Sequence, residues 1–494
     1  MRQDRGQRFW SGALGVERGR VGPAVAILCL LPVLSGCVLE SVKPELALDT
    51  PAKYLNQHGA ADAAVPKLDW WRGFHSRELV KLIDDAQAHN FDIAVAVAQL
   101  AQADAQVKIA QAPLFPLVDF GNSASIAKSS SLTGSGGGGG VSHLFASSLS
   151  ASYVLDFWGK NQSTLVAAEE NAVASRYNRE VVTLTTMSSV ASTYFTILAT
   201  MDRLKILHKD VEDSNRILDL ITQQFNAGTV SQINVSQQQA LVATLRAQIA
   251  PIELLRQQSL AALAILVGRA PEHVVARGGS MMDTTIPRVT PGLPSELLNQ
   301  RPDLRQAEAQ LAASNYNVNA ARAAFFPTIE LTGQAGFQSS MLRSLFLPGA
   351  WFYTAAASVT QPVFDGFLLE GQLDLQLGLR QQFLQQYRRA VLSAFGDVEK
   401  ALIALEQTTK QEKDQREAVL ASQMAFYLSE QQLREGTVNL VTLLQVEQQL
   451  FTAEDTLTQV QLARLLAAVS LFQALGGGWS PVDKVVAVAQ PAKH

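Results

Sequence analysis

Hydrophobic and polar positions follow two different periods along this chain. Long stretches that lack Gly and Pro and are rich in Gln, Ala, Leu and Glu indicate helices, at 74–112, 160–225, 303–326 and 437–475. The second of them would be roughly 100 Å long if it were fully helical. In the last stretch, apolar side chains step by three and four, which predicts a coiled-coil seam at Leu443, Val446, Leu450, Ala453, Leu457 and Val460.

Four stretches between the helices alternate apolar and polar side chains, which is the period of a β-strand with two unlike faces. They are residues 118–128, 145–157, 328–338 and 351–361. Each has about 10–13 residues, the length of a strand that crosses an outer membrane. One apolar face and one face of small polar side chains suit lipid outside and water inside. A half-buried strand in a soluble sheet is the alternative.

The same order of elements occurs twice in the chain. Each half contains a helix, a proline, two strands, a long helix, a turn and a returning helix. Pro116 corresponds to Pro327, and the turn sequence FNAGTV at 225–230 corresponds to LREGTV at 433–438. The predicted repeats are residues 74–300, with a strand pair at 117–157, and residues 301–480, with a strand pair at 327–364.

Gly228 and Gly436 mark the predicted far ends of the two long helices. Glycine permits the positive φ at which helices often stop, and Thr229 and Thr437 are placed to cap the returning helices. The sequence therefore predicts two helical hairpins, with tips near residues 228 and 436.

The lengths of the helices predict how the chain runs back from the first helical tip. The returning segment 229–267 and the helix 303–326 together match the first long helix, so we expect them to stack end to end along it. Pro251 and the Gly- and Pro-rich segment 268–280 interrupt this return and predict a small side structure.

The N-terminus, residues 1–36, has the features of a lipoprotein signal peptide. Five arginines precede the apolar segment VGPAVAILCLLPVL, which runs into Leu-Ser-Gly-Cys37. We therefore predict that Cys37 begins the mature chain and carries lipid; an ordinary signal peptide with a chance cysteine is the alternative. Val38, rather than Asp, then favours the outer membrane by resemblance to bacterial lipoproteins. A lipidated extension at 37–73 and a tail at 481–494 flank the repeats.

Composition and motifs exclude several classes of protein. The net charge of −4 and the pI of about 6.0 come with no basic patch, so we expect no nucleic-acid partner. Cys29 lies in the signal peptide, and the seven histidines form no HExxH or other metal-ligand spacing. A GxSxG motif is also absent. We therefore expect no enzyme, no metal site and no cofactor beyond the covalent lipid on Cys37.

Four strands are too few to close a barrel, and an open strand edge in lipid leaves backbone groups unpaired. The sequence therefore predicts an α+β membrane protein: long coiled-coil helices joined to a transmembrane β-barrel that oligomerisation completes. Three copies would supply twelve strands, although strand pairing alone does not fix the number three.

Several motifs together resemble the TolC-like outer membrane factors of tripartite efflux pumps and type I secretion systems. The lipoprotein subfamily that serves resistance-nodulation-division pumps fits best, and the resemblance covers about residues 66–480. The motifs are YVLDFWGK (153–160), GLPSELLNQRPDLRQAEAQLAA (292–313), AARAAFFPTIELTG (320–333), QPVFDG (361–366) and QALGGGW (473–479).

The resemblance implies a homotrimer with a twelve-stranded barrel in the outer membrane and a helical tunnel in the periplasm. Such a protein is a passive exit duct for small molecules: its tips dock on a periplasmic adaptor, which joins it to an inner-membrane resistance-nodulation-division transporter. A type I secretion component and a non-channel coiled-coil structural lipoprotein are the alternatives, and the two-faced strands argue against the latter. The substrate, which could be a drug, a metal ion or a solvent, stays open.

The resemblance also implies a closed iris after the second tip turn. Family members often carry an aspartate where this chain has Gln445, and some relatives have an acidic residue at the position of Thr442. Gln445 would neither repel its copies nor bind a cation, as a ring of aspartates would. We therefore expect closure to depend more on the neighbours of Thr442 and Gln445, which are Leu440, Leu443, Leu444 and Glu447.

Overall fold

The computed structural model describes residues 51, 53–55, 68–128, 141–274, 279–287 and 292–479, and the structural statements below concern these residues. The predicted signal peptide, the lipidation site Cys37 and the C-terminal tail lie outside them.

Eight α-helices and four strands carry the fold of the described residues. In chain order they are α1 (Arg77–His89), α2 (Phe91–Gln111), β1 (Leu117–Lys128), β2 (Val141–Leu155), α3 (Lys160–Asn226), α4 (Gln232–Leu266), α5 (Pro294–Gln300), α6 (Pro302–Ala323), β3 (Thr328–Ser339), β4 (Trp351–Thr360), α7 (Leu368–Arg434) and α8 (Leu440–Ala474).

The strands form one antiparallel sheet in the order β1-β2-β3-β4. Both hairpins have the same register: Leu117 lies opposite Ser152 in the first, and Thr328 lies opposite Thr360 in the second. Among the described residues, the outer edges of β1 and β4 pair with no strand. The four predicted strands are therefore confirmed, and the sheet is open at both sides.

The register keeps the two faces of the sheet distinct across all four strands. One row of neighbours is apolar, and the adjacent row is polar. The apolar row is Phe120, Leu149, Ala335 and Tyr353, and the polar row is Asp119, Ser150, Gln334 and Thr354. One face can thus meet lipid while the other meets water.

The helices repeat as closely as the strands do. The long helices α3 and α7 have 67 residues each, and the returning helices α4 and α8 have 35 each. By length and composition alone, α3 and α4 could also cross a membrane. However, 56% of the most apolar stretch of 18 residues in α3 is buried within the protein. Helix α4 is its antiparallel hairpin partner, so the pair is a helical hairpin with a shared apolar face.

The prediction of one helix over 74–112 is wrong. Helix α1 ends at His89 and α2 begins at Phe91, because Asn90 adopts an extended conformation with φ −66° and ψ 131°. Its Oδ1 accepts a hydrogen bond from the Ile93 amide at 3.0 Å, which caps α2. Its Nδ2 donates to the Leu266 carbonyl at 2.8 Å, so the cap also binds the end of α4.

The segment 229–267 and the helix 303–326 both pack along the first long helix, as predicted, but the prediction that they stack end to end is wrong. Helix α4 ends against the start of α2 at Asn90, and α8 ends against the start of α6, where Arg301 Nη1 donates to the Ala474 carbonyl at 3.2 Å. Trp479 Nε1 also donates to the Gln300 carbonyl at 2.5 Å. Each returning helix therefore ends against the helix that precedes the strands of its own repeat, which is α2 in the first repeat and α6 in the second.

We expect Asn90→Ala to lower the stability of the protein by about 1–2 kcal/mol, because it removes a helix cap and leaves the Leu266 carbonyl without its donor. Thermal unfolding followed by circular dichroism measures the loss. The exposed Gln102→Ala on α2 is the control. Equal midpoints for the two variants would show that the joint contributes little.

The largest core lies at the level where the returning helices end. The Trp70 ring stacks on Phe472 of α8 at 5.0 Å between ring centroids, and Phe74 packs on Phe195 of α3 at 5.1 Å. A second cluster buries Tyr54 among side chains of α5, α6, α7 and α8, so the chain preceding the first repeat packs against helices that lie mainly in the second repeat.

Candidate gate at the helical tips

The two tip turns have nearly identical geometry. Gly228 has φ 77° and Gly436 has φ 73°, both in the left-handed region that favours glycine. The Thr229 amide donates to the Gln224 carbonyl at 3.0 Å, and the Thr437 amide donates to the Gln432 carbonyl at 2.9 Å. The structure thus places the four predicted turn residues at the ends of α3 and α7.

The two threonines do not cap the returning helices, contrary to the prediction. Their hydroxyls donate backwards, Thr229 to the Gln224 carbonyl at 2.8 Å and Thr437 to the Gln432 carbonyl at 3.1 Å. They therefore complete the end of the preceding helix. The cap of α8 is Asn439, whose Oδ1 accepts from the Thr442 amide at 2.9 Å.

Two of the predicted iris residues are buried inside the protomer. Leu440 is 4% exposed and Leu443 is fully buried. They pack with Leu433 of α7 and with residues of the other hairpin, which are Ile217, Ile221 and Val235. In this structure these two leucines hold the two hairpins together and do not face a lumen, because the adjoining helices cover them.

Thr442 and Gln445 are exposed on α8, and Leu444 is half-buried. Val441, which the sequence did not single out, is 47% exposed in the same turn. These side chains are the ones free to meet other copies across a lumen. The assignment of Thr442, Leu444 and Gln445 to a gate stays a prediction.

Glu447 is also buried within the protomer, with no exposed area. It lies between Leu443 and Leu450 in the seam of α8, whereas the sequence pattern assigned this seam position to Val446, which is half-buried. Burial raises the pKa of Glu447 to about 7. Like the two leucines, it faces neighbouring helices and not a lumen.

Ion pairs connect the two hairpins above their tips. Arg216 of α3 binds Glu430 of α7, which also accepts from Arg434 at 2.8 Å. Higher up, Arg203 of α3 makes two bonds to Asp455 of α8, at 2.6 and 3.2 Å. Motion of one hairpin against the other would have to break these contacts. Sequence reasoning missed them because the partners are distant along the chain.

A groove of about 840 Å³ separates α3 from α7 near the tip. Charged side chains from both helices line it, including Glu212, Arg216, Asp219 and Arg434. Among the residues that the structure describes, no group of three or more His, Cys, Asp or Glu side chains could hold a metal ion. The tip thus offers a charged protein surface.

Aromatic side chains gather where the sheet joins the helices. The Trp158 ring stacks on Phe326 at 4.7 Å between ring centroids, and its Nε1 donates to the Pro327 carbonyl at 2.8 Å. Such aromatic residues are typical of the boundary between lipid and water. The boundary therefore lies near the base of the sheet, with the helices on its aqueous side.

A two-faced membrane sheet continued by long helical hairpins defines a subunit of an outer-membrane channel. The family model of the outer membrane efflux protein matches residues 82–269 and 293–477. The chain belongs to this family, and it is an outer-membrane channel of a tripartite efflux system.

Individual relatives agree with this assignment. The chain is 35% identical over 461 residues to the pyoverdine export outer membrane protein OpmQ of Pseudomonas putida, covering 92% of this chain and 97% of the relative. It is 30% identical to the toluene efflux pump outer membrane protein TtgC of Pseudomonas putida, covering 85% and 87%. The solved outer-membrane channel OprN is similar with a TM-score of 0.84 and 25% identity, covering 89% of this chain and 100% of that one.

Proposed function

We propose that three copies of this chain close a twelve-stranded barrel and form a passive exit duct for small molecules. The observation that carries this proposal is the open sheet, whose unpaired edges β1 and β4 flank one continuous apolar face. In lipid such edges need strand partners. The helices also expose apolar side chains that a second copy could cover, on α7 Leu375, Leu392, Leu420, Met424 and Leu428.

The internal repeat predicts how two copies would pair. Within the chain, β2 of the first repeat meets β3 of the second, with Leu149 opposite Ala335. Since the two hairpins share one register, β4 should meet the partner's β1 in the equivalent way. The position equivalent to Leu149 is Ala357, and the position equivalent to Ala335 is Ala124. We therefore expect Ala357 to lie opposite the partner's Ala124.

Disulfide cross-linking tests this closure. The double variant Ala124→Cys/Ala357→Cys should form covalent dimers and trimers after mild oxidation in the outer membrane, because directly opposed strand residues have Cα atoms about 4.5–5.5 Å apart. Denaturing gels without reductant would show the products.

The matched control shifts the pairing by two residues on the same face. Ala124→Cys/Ala355→Cys separates the Cα atoms beyond the roughly 7 Å that a disulfide allows, so it should remain mostly monomeric on the gel. Efficient cross-linking of the control alone would overturn the register, and failure of both pairs would count against closure by these edges.

The remaining parts of the proposal follow from the duct. The helical tips, with the charged groove between α3 and α7, bind a periplasmic adaptor, which connects the trimer to an inner-membrane resistance-nodulation-division transporter. Cys37 carries the lipid that anchors the chain beside the barrel. The duct itself catalyses no reaction, a view that its relationship to channel proteins supports.

The likeness to a pyoverdine export protein supports a siderophore as the transported molecule. Deleting the gene should make a siderophore accumulate in the periplasm of its own bacterium, and restoring the gene should return export. Unchanged siderophore export together with new sensitivity to toluene would favour the solvent-efflux alternative that the second relative suggests.

A further inference from the structure

A polar layer interrupts the apolar packing between the two hairpins. It consists of Asp210 and Ser214 on α3, Gln238 on α4 and Glu447 on α8, each of them buried. An apolar cluster that includes Leu443 lies on the tip side of this layer, and another that includes Phe451 lies on the opposite side. The layer is about 16 Å along the helix from the turn at Gly436.

The hydrogen bonds inside the polar layer leave the carboxylate unsatisfied. Gln238 Nε2 donates to the Ser214 carbonyl at 2.9 Å and to the Ser214 hydroxyl at 2.8 Å. Among the described residues, neither oxygen of Glu447 makes a hydrogen bond of good geometry, although Ser214 and Gln238 lie close enough to interact with it, and Gln238 Oε1 has no partner. An ionised carboxylate is costly in such a place, whereas a protonated one is neutral and can donate a hydrogen bond.

Burial, more than the surrounding charges, favours the protonated forms. Burial and then Glu454 raise the pKa of Asp210, which reaches about 8 despite Lys209, and Glu447 adds to the effect. For Glu447, burial raises the pKa most, interactions with the Ser214 and Gln238 side chains lower it, Asp213 raises it and Arg216 lowers it, so burial decides the direction. The other charged groups near the layer bind one another: Arg216 pairs with Glu430 and Asp213, and Arg203 pairs with Asp455.

We propose that the polar layer is a proton-sensitive latch: protonated Asp210 and Glu447 hold the α7–α8 hairpin against α3 and α4, and their ionisation loosens the tip. The latch rests on the proposed duct, whose periplasmic end it would control. It acts through an internal seam, and Thr442 and Gln445 on the exposed face of α8 take no part in it.

The direction of the pH dependence follows from the raised pKa values. Below the ordinary pKa of about 4.5 the carboxyl group of Glu447 is protonated in both the closed and the loosened tip, so the closed state is at its most stable. The stability of the closed tip relative to the loosened tip then declines as the pH rises towards the raised pKa values, about 7 for Glu447 and about 8 for Asp210. Above these pKa values it no longer changes with pH. Between about pH 5 and pH 8.5, ionisation of Glu447 alone should lower the closed-to-loosened ratio on the order of 100-fold, and ionisation of Asp210 should lower it further.

Pulsed electron spin resonance on the full-length trimer in lipid nanodiscs tests the latch. A spin label at Glu435→Cys, in the exposed turn between α7 and α8, reports the distance between copies. We expect the fraction of label pairs at the longer distance between copies to grow as the pH rises. The same label at Asn226→Cys, the exposed last residue of α3, should show no comparable change.

Variants separate the latch from a purely structural role of the layer. Asp210→Asn/Glu447→Gln should stay at the short distance at both pH values, and Glu447→Leu, which completes the apolar seam, should do the same if the double variant fails to assemble. Glu417→Gln, an exposed carboxylate on α7, should respond like the unaltered chain. A pH response that survives in the neutralised variants, or none in the unaltered chain, overturns the proposal.

Electron micrographs of the same samples keep the two proposals apart. A lumen combined with distances that ignore pH would reject the latch and leave the duct standing. Particles without a lumen would reject the duct.

Discussion

Gly336→Ala should abolish assembly of the trimer in the outer membrane. A Cβ atom at this position would lie 2.2 Å from the Ser147 carbonyl oxygen and 2.6 Å from the Ser148 Cα atom. Both are backbone atoms of β2, so no side chain can move aside. The free-energy cost of this clash should reach or exceed the roughly 1–3 kcal/mol of ordinary overpacking. The clash destabilises the pairing of β2 with β3, which joins the two repeats.

Gly333→Ala in the same strand is the matched control. The nearest atom to its Cβ would be the Thr354 carbonyl oxygen at 4.0 Å, an ordinary contact. Native gels of outer-membrane extracts compare the two variants: we expect trimers for Gly333→Ala and none for Gly336→Ala. Normal trimers in both would mean that β2 and β3 approach each other less closely than the structure shows.

Leu443→Ala should loosen the tip more than any other truncation in the first turns of α8. The side chain is fully buried between the two hairpins. Its loss should cost about 2–5 kcal/mol, because removal of buried methyl groups leaves a cavity. Faster hydrogen exchange in the first turns of α8, while α6 remains protected, would show that the loosening is local.

Val441→Ala serves as the control for this truncation. It lies in the same turn but is 47% exposed, so we expect a loss of less than about 1 kcal/mol and little change in exchange. If the two variants exchanged alike, the apolar cluster at the tip would not be what holds α8 in place.

Periodicity revealed most of the fold because the pattern is long and occurs twice. The alternation of apolar and polar side chains identified all four strands. The similar turn sequences at 225–230 and 433–438 located both helical tips. The strands could be recognised because each face meets a different environment over its whole length. The twin glycines could be recognised because a positive φ favours one residue type.

The contacts at the helix ends and the burial of Glu447 in the seam of α8 could not be predicted from the sequence, for physical reasons. Asn90 ends α1 without any Gly or Pro, and only its bond to the distant Leu266 carbonyl shows why the chain breaks there. The hydroxyls of Thr229 and Thr437 had two possible partners, and the turn geometry selects the preceding helix. Glu447 occupies a seam position where pattern analysis expects an apolar side chain, so a charged residue there was assigned to an exposed gate.

Electron microscopy of the acylated protein extracted from outer membranes tests the central claim most directly. We expect threefold particles with a short membrane collar and a hollow rod on the order of 100 Å long, the length of helices with 67 residues. A continuous lumen from collar to tip would establish the exit duct. Solid rods, or single chains with an open sheet, would contradict it.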